Sequence, residues 1–316
     1  MAETITEWQR KGFADGVIYS LGQQKNLVYP DLDPMNIHTG FRGDLDSFNI
    51  MGHMIEHDIT ERAGDTVVGN AEHGRVWCKP FPSDATLYLT REDEKRSAVS
   101  DPNSSHVRVI AETLMRAKDK RIINAATAAV LFGELGTSSF AFDTTNQQIA
   151  LGSSPNNTLT KDKIELTSFK LDAAGVVDDE GQRYFYYAPG QKRAVMGITQ
   201  AASADFTAQR IYDSGTINGK YWMGFTWRQI PDVVSQNADM TRTTLKRMLN
   251  LSGTTRSCLA IGKGALGYTE VQNFETFLDI LPDKQHVWQA RAVQDMNAAR
   301  ILQNGVVEIL ALEQTT

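Results

Sequence analysis

The sequence predicts an α+β protein, on three observations. Short alternating runs bounded by turn residues mark strands at Arg75–Lys79, Thr86–Thr90, Arg183–Ala188, Tyr221–Ile230, Ser257–Ile261, Val287–Met296 and Val306–Leu312. A long helical pattern runs from Ser105 to about Ala129, and a shorter one from Thr160 to Ala173. The two kinds of element alternate without βαβ regularity, which separates the chain from parallel α/β folds. At 316 residues, with 41% apolar and 22% charged side chains, the composition is that of a folded protein of about two domains or one elaborated one.

Residues 1–55 read as an irregular arm. Trp8, Gly12, Phe13, Val17, Ile18 and Leu21 allow one short amphipathic helix, after which Pro30, Pro34, Gly40 and Gly43 break regular structure. Such a segment buries little of itself, so it is either disordered or laid along something else. Residues 64–100 read as an extended hairpin. Val76 and Cys78 face one way and Trp77 the other; Leu87 and Leu89 lie opposite Tyr88. A lone hairpin with apolar residues on both faces is marginal in water, so a neighbouring subunit is the expected cover.

Asp101-Pro102-Asn103-Ser104 is a helix start signal. In the long helix Val107, Ala111, Leu114, Met115, Ile122 and Ala125 share one arc, with Arg108, Glu112, Arg116 and Asp119 across from it. Glu112 precedes Arg116 by one turn, the favourable order for an ion pair. Lys118 and Arg121 fall near the apolar arc, where their stems can lie on apolar surface. Gly133–Pro155 reads as loop. In the second helix Ile164, Leu166, Phe169 and Leu171 are the apolar positions. The strand from Arg183 is expected to stop at Pro189-Gly190.

Charge and composition exclude several functions. The net charge of −6 sits wholly in residues 1–100, where 16 acidic residues outnumber 10 basic ones; the remainder carries 22 of each. Tight nucleic-acid binding needs clustered Lys and Arg, and none stands out. No stretch approaches the roughly 18 apolar residues of a membrane helix, and no signal peptide is expected. Cys78 and Cys258 form neither a disulfide framework nor a metal knuckle.

Two motifs invite a catalytic reading. His53-Met54-Ile55-Glu56-His57 spells H-x-x-E-H; on a helix both imidazoles would reach one zinc while Glu56 activates its water. Three fixed residues in five are a weak filter, and Gly52 and the broken surroundings oppose a helix. Gly262-Lys263-Gly264-Ala265-Leu266-Gly267 spells G-x-G-x-x-G after a strand. A dinucleotide site needs a helix and a βαβ unit there, and Tyr268-Thr269-Glu270-Val271 is a poor helix start. A glycine-rich loop is the preferred reading. No cofactor and no metal is expected.

The order of elements carries a resemblance. An arm, a long hairpin, a long helix, a mixed domain and a terminal strand follow one another. Gly74-Arg75-Val76-Trp77-Cys78-Lys79-Pro80 is similar to a returning strand of an extended loop. Asp101-Pro102 with Ala111 to Asp119 and Ala125-Ala126 is similar to a spine helix. Gly219 to Ile230, and Ala298-Ala299-Arg300-Ile301 with Gly305-Val306-Val307-Glu308, are similar to axial and closing peripheral strands. From about residue 60 onward the chain thus resembles the major capsid proteins of tailed bacteriophages, the Hong Kong 97 fold family.

That resemblance implies an arm at 1–60, an extended loop at 61–101, a peripheral domain at 102–160 with 284–316, and an axial domain at 161–283. It implies a structural homo-oligomer and no catalysis. Hexamers and pentamers would close an icosahedral shell in the virion, assembled in host cytoplasm around DNA held non-specifically. A separate scaffolding protein, a portal and a decoration protein are the further partners implied. The expected interface residues are Trp8 and Phe13 on the arm, Val76, Trp77, Leu87, Tyr88 and Leu89 on the hairpin, and Arg108, Arg116 and Arg121 on the helix. The competing readings are a zinc hydrolase at His53, Glu56 and His57, a nucleotide binder at Gly262, Gly264 and Gly267, and a non-viral nanocompartment shell of the same fold.

Overall fold

The computed structural model describes residues 26–313, leaving out 53, 55, 59–67, 70, 90–101, 154–155, 177–181, 199–216, 237–241, 247 and 285. The described chain begins with a belt, residues 26–36, built on two short 3-10 turns at Tyr29–Asp31 and Pro34–Asn36. Each carries a proline in its first two positions, where the fixed φ suits a helical start. Strands β1 (Ile37–Thr39), β2 (Asp46–Met51), β3 (His73–Cys78) and β4 (Phe81–Leu89) follow.

The extended hairpin is real, but its arms are β2 and β3, paired antiparallel from Asp46 opposite Cys78 to Met51 opposite His73. The second expected arm, Thr86–Thr90, falls largely in β4, which instead pairs with the strand Val287–Arg300. The reason is local. Only Lys79 and Pro80 separate β3 from β4, and a two-residue hairpin turn needs positive φ values that Lys-Pro does not supply. The residue before proline is held extended, so the chain passes from one sheet to another.

Helix α1 (Pro102–Thr127) spans 26 residues, as the long pattern predicts. Its buried side comprises Ile110, Leu114, Ile122, Ile123 and Ala126. Two expectations reverse: Met115 is exposed, and Asp119 is fully buried. A short strand β5 (Val130–Phe132) follows the helix, and the segment expected to be loop, Gly133–Pro155, holds two more, β6 (Ser138–Phe140) and β7 (Gln148–Ile149). Helix α2 (Lys161–Ala173) begins after Thr160, as predicted; Ile164 and Leu171 are buried, whereas Leu166 and Phe169 face outward. After β8 (Arg183–Tyr187), Pro189 both stops the strand and starts helix α3 (Pro189–Met196). Strands β9 (Tyr221–Trp222), β10 (Phe225–Gln229), β11 (Val233–Gln236), β12 (Arg242–Lys246), β13 (Thr255–Gly262), β14 (Leu266–Leu281), β15 (Val287–Arg300) and β16 (Val306–Leu312) complete the chain.

These strands form a long sheet in the order β1-β14-β15-β4, a six-stranded sheet β7-β16-β13-β8-β10-β9, a hairpin sheet β2-β3-β5-β6, and a β11-β12 pair. Helix α1 lies on the long sheet, with Ile110 and Leu114 against Ala290 and Ala292. The six-stranded sheet is covered on both faces. Phe185, Cys258 and Ala260 face the core shared with Ile164, Leu171 and Val195 of α2 and α3. Tyr186, Leu259 and Ile261 face a junction core shared with Ile122 and Ala126 of α1, Tyr268 of β14, Met296 of β15, and Val28 and Leu32 of the belt. Burial on both faces explains the unbroken apolar run in β13.

The G-x-G-x-x-G stretch is the turn between β13 and β14, closed by Ala265 N–H donating to the Gly262 carbonyl at 3.1 Å. Gly264 takes φ +84°, which a side chain resists, and a Cβ on Gly267 would lie 2.7 Å from Phe48 Cζ. No helix opens there, so the glycines serve the turn and close packing rather than a pyrophosphate.

Cys78 and Cys258 are free and buried. Burial pushes each thiol up from 9.0 to about 12. Both are therefore expected to resist alkylation in the native subunit at about pH 8 and to react once it is unfolded, as read by mass spectrometry. Because the folded pKa is raised, the stability each thiol contributes is full below about pH 9 and is lost as pH climbs toward 12.

Candidate assembly interface

The β2–β3 hairpin has a firmly built root. Phe48, Val76 and Cys78 bury against Val130 and Ala299. Asp46, at the start of β2, accepts from Thr269 Oγ1 at 2.6 Å and lies 2.6 Å from His38 Nδ1, which fastens the root to β14 and β1. Arg75 Nε donates to Asn49 Oδ1 across the arms at 2.9 Å. Beyond the paired arms run residues 52–72, which carry Glu56, Asp58, Glu61, Asp65 and Glu72 against a single Arg62. Among their described side chains Met54 and Val68 are exposed, as is Met51 at the end of β2. A groove of about 520 Å³ lies at the hairpin's flank, lined by Ile50, His73, Arg75, Phe132 and Glu134 among others.

The expected interface residues divide. Trp8 and Phe13 lie outside the described residues. Val76 is 2% exposed and belongs to the hairpin's own core, so it cannot meet a neighbour. Trp77 is half-buried; its Nε1 donates to the Gly133 carbonyl at 2.7 Å and its ring covers Gly136, which ties the β5–β6 turn to the hairpin. Leu87 and Tyr88 are exposed on β4, 38% and 48%, with Lys284 Nζ 4.5 Å from the Tyr88 ring centroid. Leu89 pairs with Trp288 through its backbone, and Arg108 lies within α1; their side chains are outside the description.

Arg116 makes the predicted helix pair with Glu112, at 4.0 Å. Arg121 is corrected: it donates to the carbonyl oxygens of Phe81 and Met296, clasping α1 to β4 and β15 within one subunit. Burial lowers its guanidinium pKa, opposed by Asp295 and Tyr268, and an arginine keeps its charge regardless.

Several exposed apolar residues escaped the sequence reading. Leu135 and Phe140 stand out on the β5–β6 hairpin, Phe169 on α2, and Phe277 and Ile280 at the far end of the long sheet. Apolar residues in strands and helices read as core by default, and only pairing partners reveal which face is left open.

The zinc reading loses its scaffold. His53 and Ile55 are outside the described residues, but 54 and 56–58 are not helical, and Glu56 and His57 are exposed. Among the described residues no group of three His, Cys, Asp or Glu side chains could hold a metal, and no helix is long and apolar enough to cross a membrane.

The described fold is thus a long helix on a four-stranded sheet, a six-stranded sheet sharing a core with it, and the β2–β3 hairpin. A family model described as phage capsid protein matches residues 5–313, and the chain belongs to that family. It is a structural major capsid protein that assembles with itself into the shell of the virion.

Solved structures agree in fold. The capsid structure of Cyanophage P-SCSP1u is 15% identical with a TM-score of 0.65, covering 96% of this chain and 93% of that one. The capsid of Ralstonia phage GP4 is 10% identical with a TM-score of 0.68, covering 98% and 96%. The Mycobacterium phage Che8 structure is 13% identical with a TM-score of 0.63, covering 94% and 95%. No curated protein matches the chain by sequence.

Proposed function

We propose that the subunit forms hexamers and pentamers that close an icosahedral shell around double-stranded phage DNA, and that it works by binding its own kind rather than by catalysis. The observation that carries this reading is the hairpin. The 21 residues 52–72 join the last paired residues, Met51 and His73; among their described side chains Met54 and Val68 are exposed, and the segment carries a strong acidic excess. A segment of this kind gains stability by lying on a neighbour. Tyr88, Phe277 and Ile280 on the long sheet and Phe169 on α2 are further surfaces for such contact.

The arm at 1–60 gives way to the hairpin rooted at β2 and β3. The expected division, peripheral at 102–160 with 284–316 and axial at 161–283, is redrawn in this proposal: β14 pairs with β15 and goes with α1 to the peripheral unit, while β7 and β16 belong to the six-stranded sheet of the axial unit. The contact with packaged DNA is non-specific, as suits a chain of net charge −6. A separate scaffolding protein, a portal and a decoration protein complete the proposal, with assembly in the host cytoplasm. The test is to express the protein alone and with its neighbouring gene products, then examine it by size exclusion and negative-stain microscopy. Rings of hexamer size or closed particles are expected; a lasting monomer under every combination rejects the reading.

A further inference from the structure

The belt touches every unit of the subunit in turn, and a carboxylate fastens it at three of those contacts. The amides of Leu27, Val28 and Tyr29 all donate to the Asp119 carboxylate, at 2.7, 3.2 and 3.4 Å, so a buried acid on α1 holds three successive backbone groups. Val28 is fully buried beside them in the junction core. Asp31, also buried, then accepts from Arg228 Nε and Nη2 of β10 at 3.1 and 2.9 Å and from Tyr186 of β8 at 3.1 Å. Asn36 Nδ2 donates to the Gly264 carbonyl at the β13–β14 turn, 2.9 Å. β1 adds in parallel to β14, with Ile37 opposite Tyr268. The last fastening is Asp46, shared between His38 and Thr269, and there the hairpin begins.

One continuous stretch, residues 27–46, therefore runs past α1, to the six-stranded sheet, to the long sheet and into the hairpin root. We propose that this belt is a latch: the Asp119 and Asp31 fastenings set the angle between the six-stranded and long sheets and carry a displacement at Leu27–Tyr29 through to the hairpin. The hairpin would then be presented to a neighbour at an angle that the belt fixes. This rests on the assembly reading for its purpose, but not for its mechanics. Hydrogen bonds held by buried charged groups are short-ranged and directional, so the belt has a seated state and a released one rather than a continuum.

The experiment uses the full chain kept unassembled at low concentration, so that it reports on the latch whether or not particles form. Amide hydrogen exchange by mass spectrometry is compared for the wild type, Asp31→Asn and Arg228→Gln. In both variants exchange is expected to rise about tenfold or more, the size that follows from losing a charge-assisted pair, over the belt and over β2 and β3. Peptides covering α2 and β16 should be unchanged. A rise confined to the belt, with the hairpin strands unaffected, overturns the transmission. A rise spread equally over the whole chain overturns the latch, because it marks general loosening. Asp119→Asn is the second probe, since one of the two oxygens that together accept the three amides becomes a donating NH2; it should release the belt first at Leu27–Tyr29. Particle yield, measured separately, tests the assembly reading alone.

Discussion

Replacing residues 53–71 by an Asn-Gly turn is expected to give a folded subunit that forms no particles. Gly52 N–H donates to the Glu72 carbonyl at 2.7 Å, one step past the Met51–His73 pair that ends the β2–β3 ladder, so a two-residue turn can close it there. Everything that holds the hairpin root lies below the cut: Phe48 and Val76 in their core, Asp46 on Thr269, and Trp77 on Gly133. The far-ultraviolet spectrum and a single cooperative unfolding transition should therefore survive. What is removed is an acidic segment whose described apolar side chains, Met54 and Val68, are exposed in the single subunit. If shells of normal yield formed from the shortened protein, the hairpin would not be an assembly element. Trp77→Asp is a poorer test than the sequence suggests, because that ring also pins the β5–β6 turn inside the subunit.

Much of the architecture was legible because it is local. The long helix has a start signal, a clean run of helix formers and an i, i+4 pair, and each reads directly from neighbours in the chain. The same holds for α2 and for β16, whose apolar run is bounded by turn residues. Pairing was not legible. β4 looks like the partner of β3 because it follows it, yet it joins β15 some 200 residues later. Strand β14 was missed because its first half is polar, with Thr269, Glu270, Gln272 and Asn273 relieved only by Val271; it is held by β15 from Leu266 to Leu281, across two register shifts, rather than by its own propensity.

The candidate surfaces were legible in kind and less so in residue. A hairpin through Val76 and Trp77 follows from sequence alone. Which hairpin residues face outward does not. Val76 looked exposed because β2 was unrecognised, and Phe48 of β2 is what buries it. Asp119 looked like part of a polar helix face, and Arg121 like a cation near the apolar arc whose charge reaches out to water, because charged side chains default to solvent. Both are claimed from afar, Asp119 by the belt amides and Arg121 by strand carbonyls, and no helical wheel contains those partners. Long-range polar satisfaction of this kind is invisible until the chain is folded.

The largest stability loss is expected at Arg256. Its guanidinium is 1% exposed and bridges two acids: Nη1 and Nη2 reach Asp232 at 3.1 and 2.6 Å, and Nε and Nη2 reach Glu313 at 3.0 and 2.9 Å. Burial pushes the guanidinium pKa down, but the two carboxylates more than offset that and hold it above its ordinary value. The cluster joins β13, the segment after β10 and the chain just past β16, and Asp232 also accepts the Met248 amide beside the junction core. Arg256→Ala leaves two largely buried carboxylates facing each other, and breaking such a pair costs about 3–5 kcal/mol. Urea unfolding in the hairpin-shortened background, which keeps the subunit unassembled, should therefore show a much lower midpoint at unchanged slope. Adding Asp232→Asn and Glu313→Gln to Arg256→Ala should recover part of the loss, because the stranded charges are then gone. A loss below about 1 kcal/mol for Arg256→Ala, the range of exposed surface pairs, would mean that water reaches the cluster and that the six-stranded sheet does not depend on it.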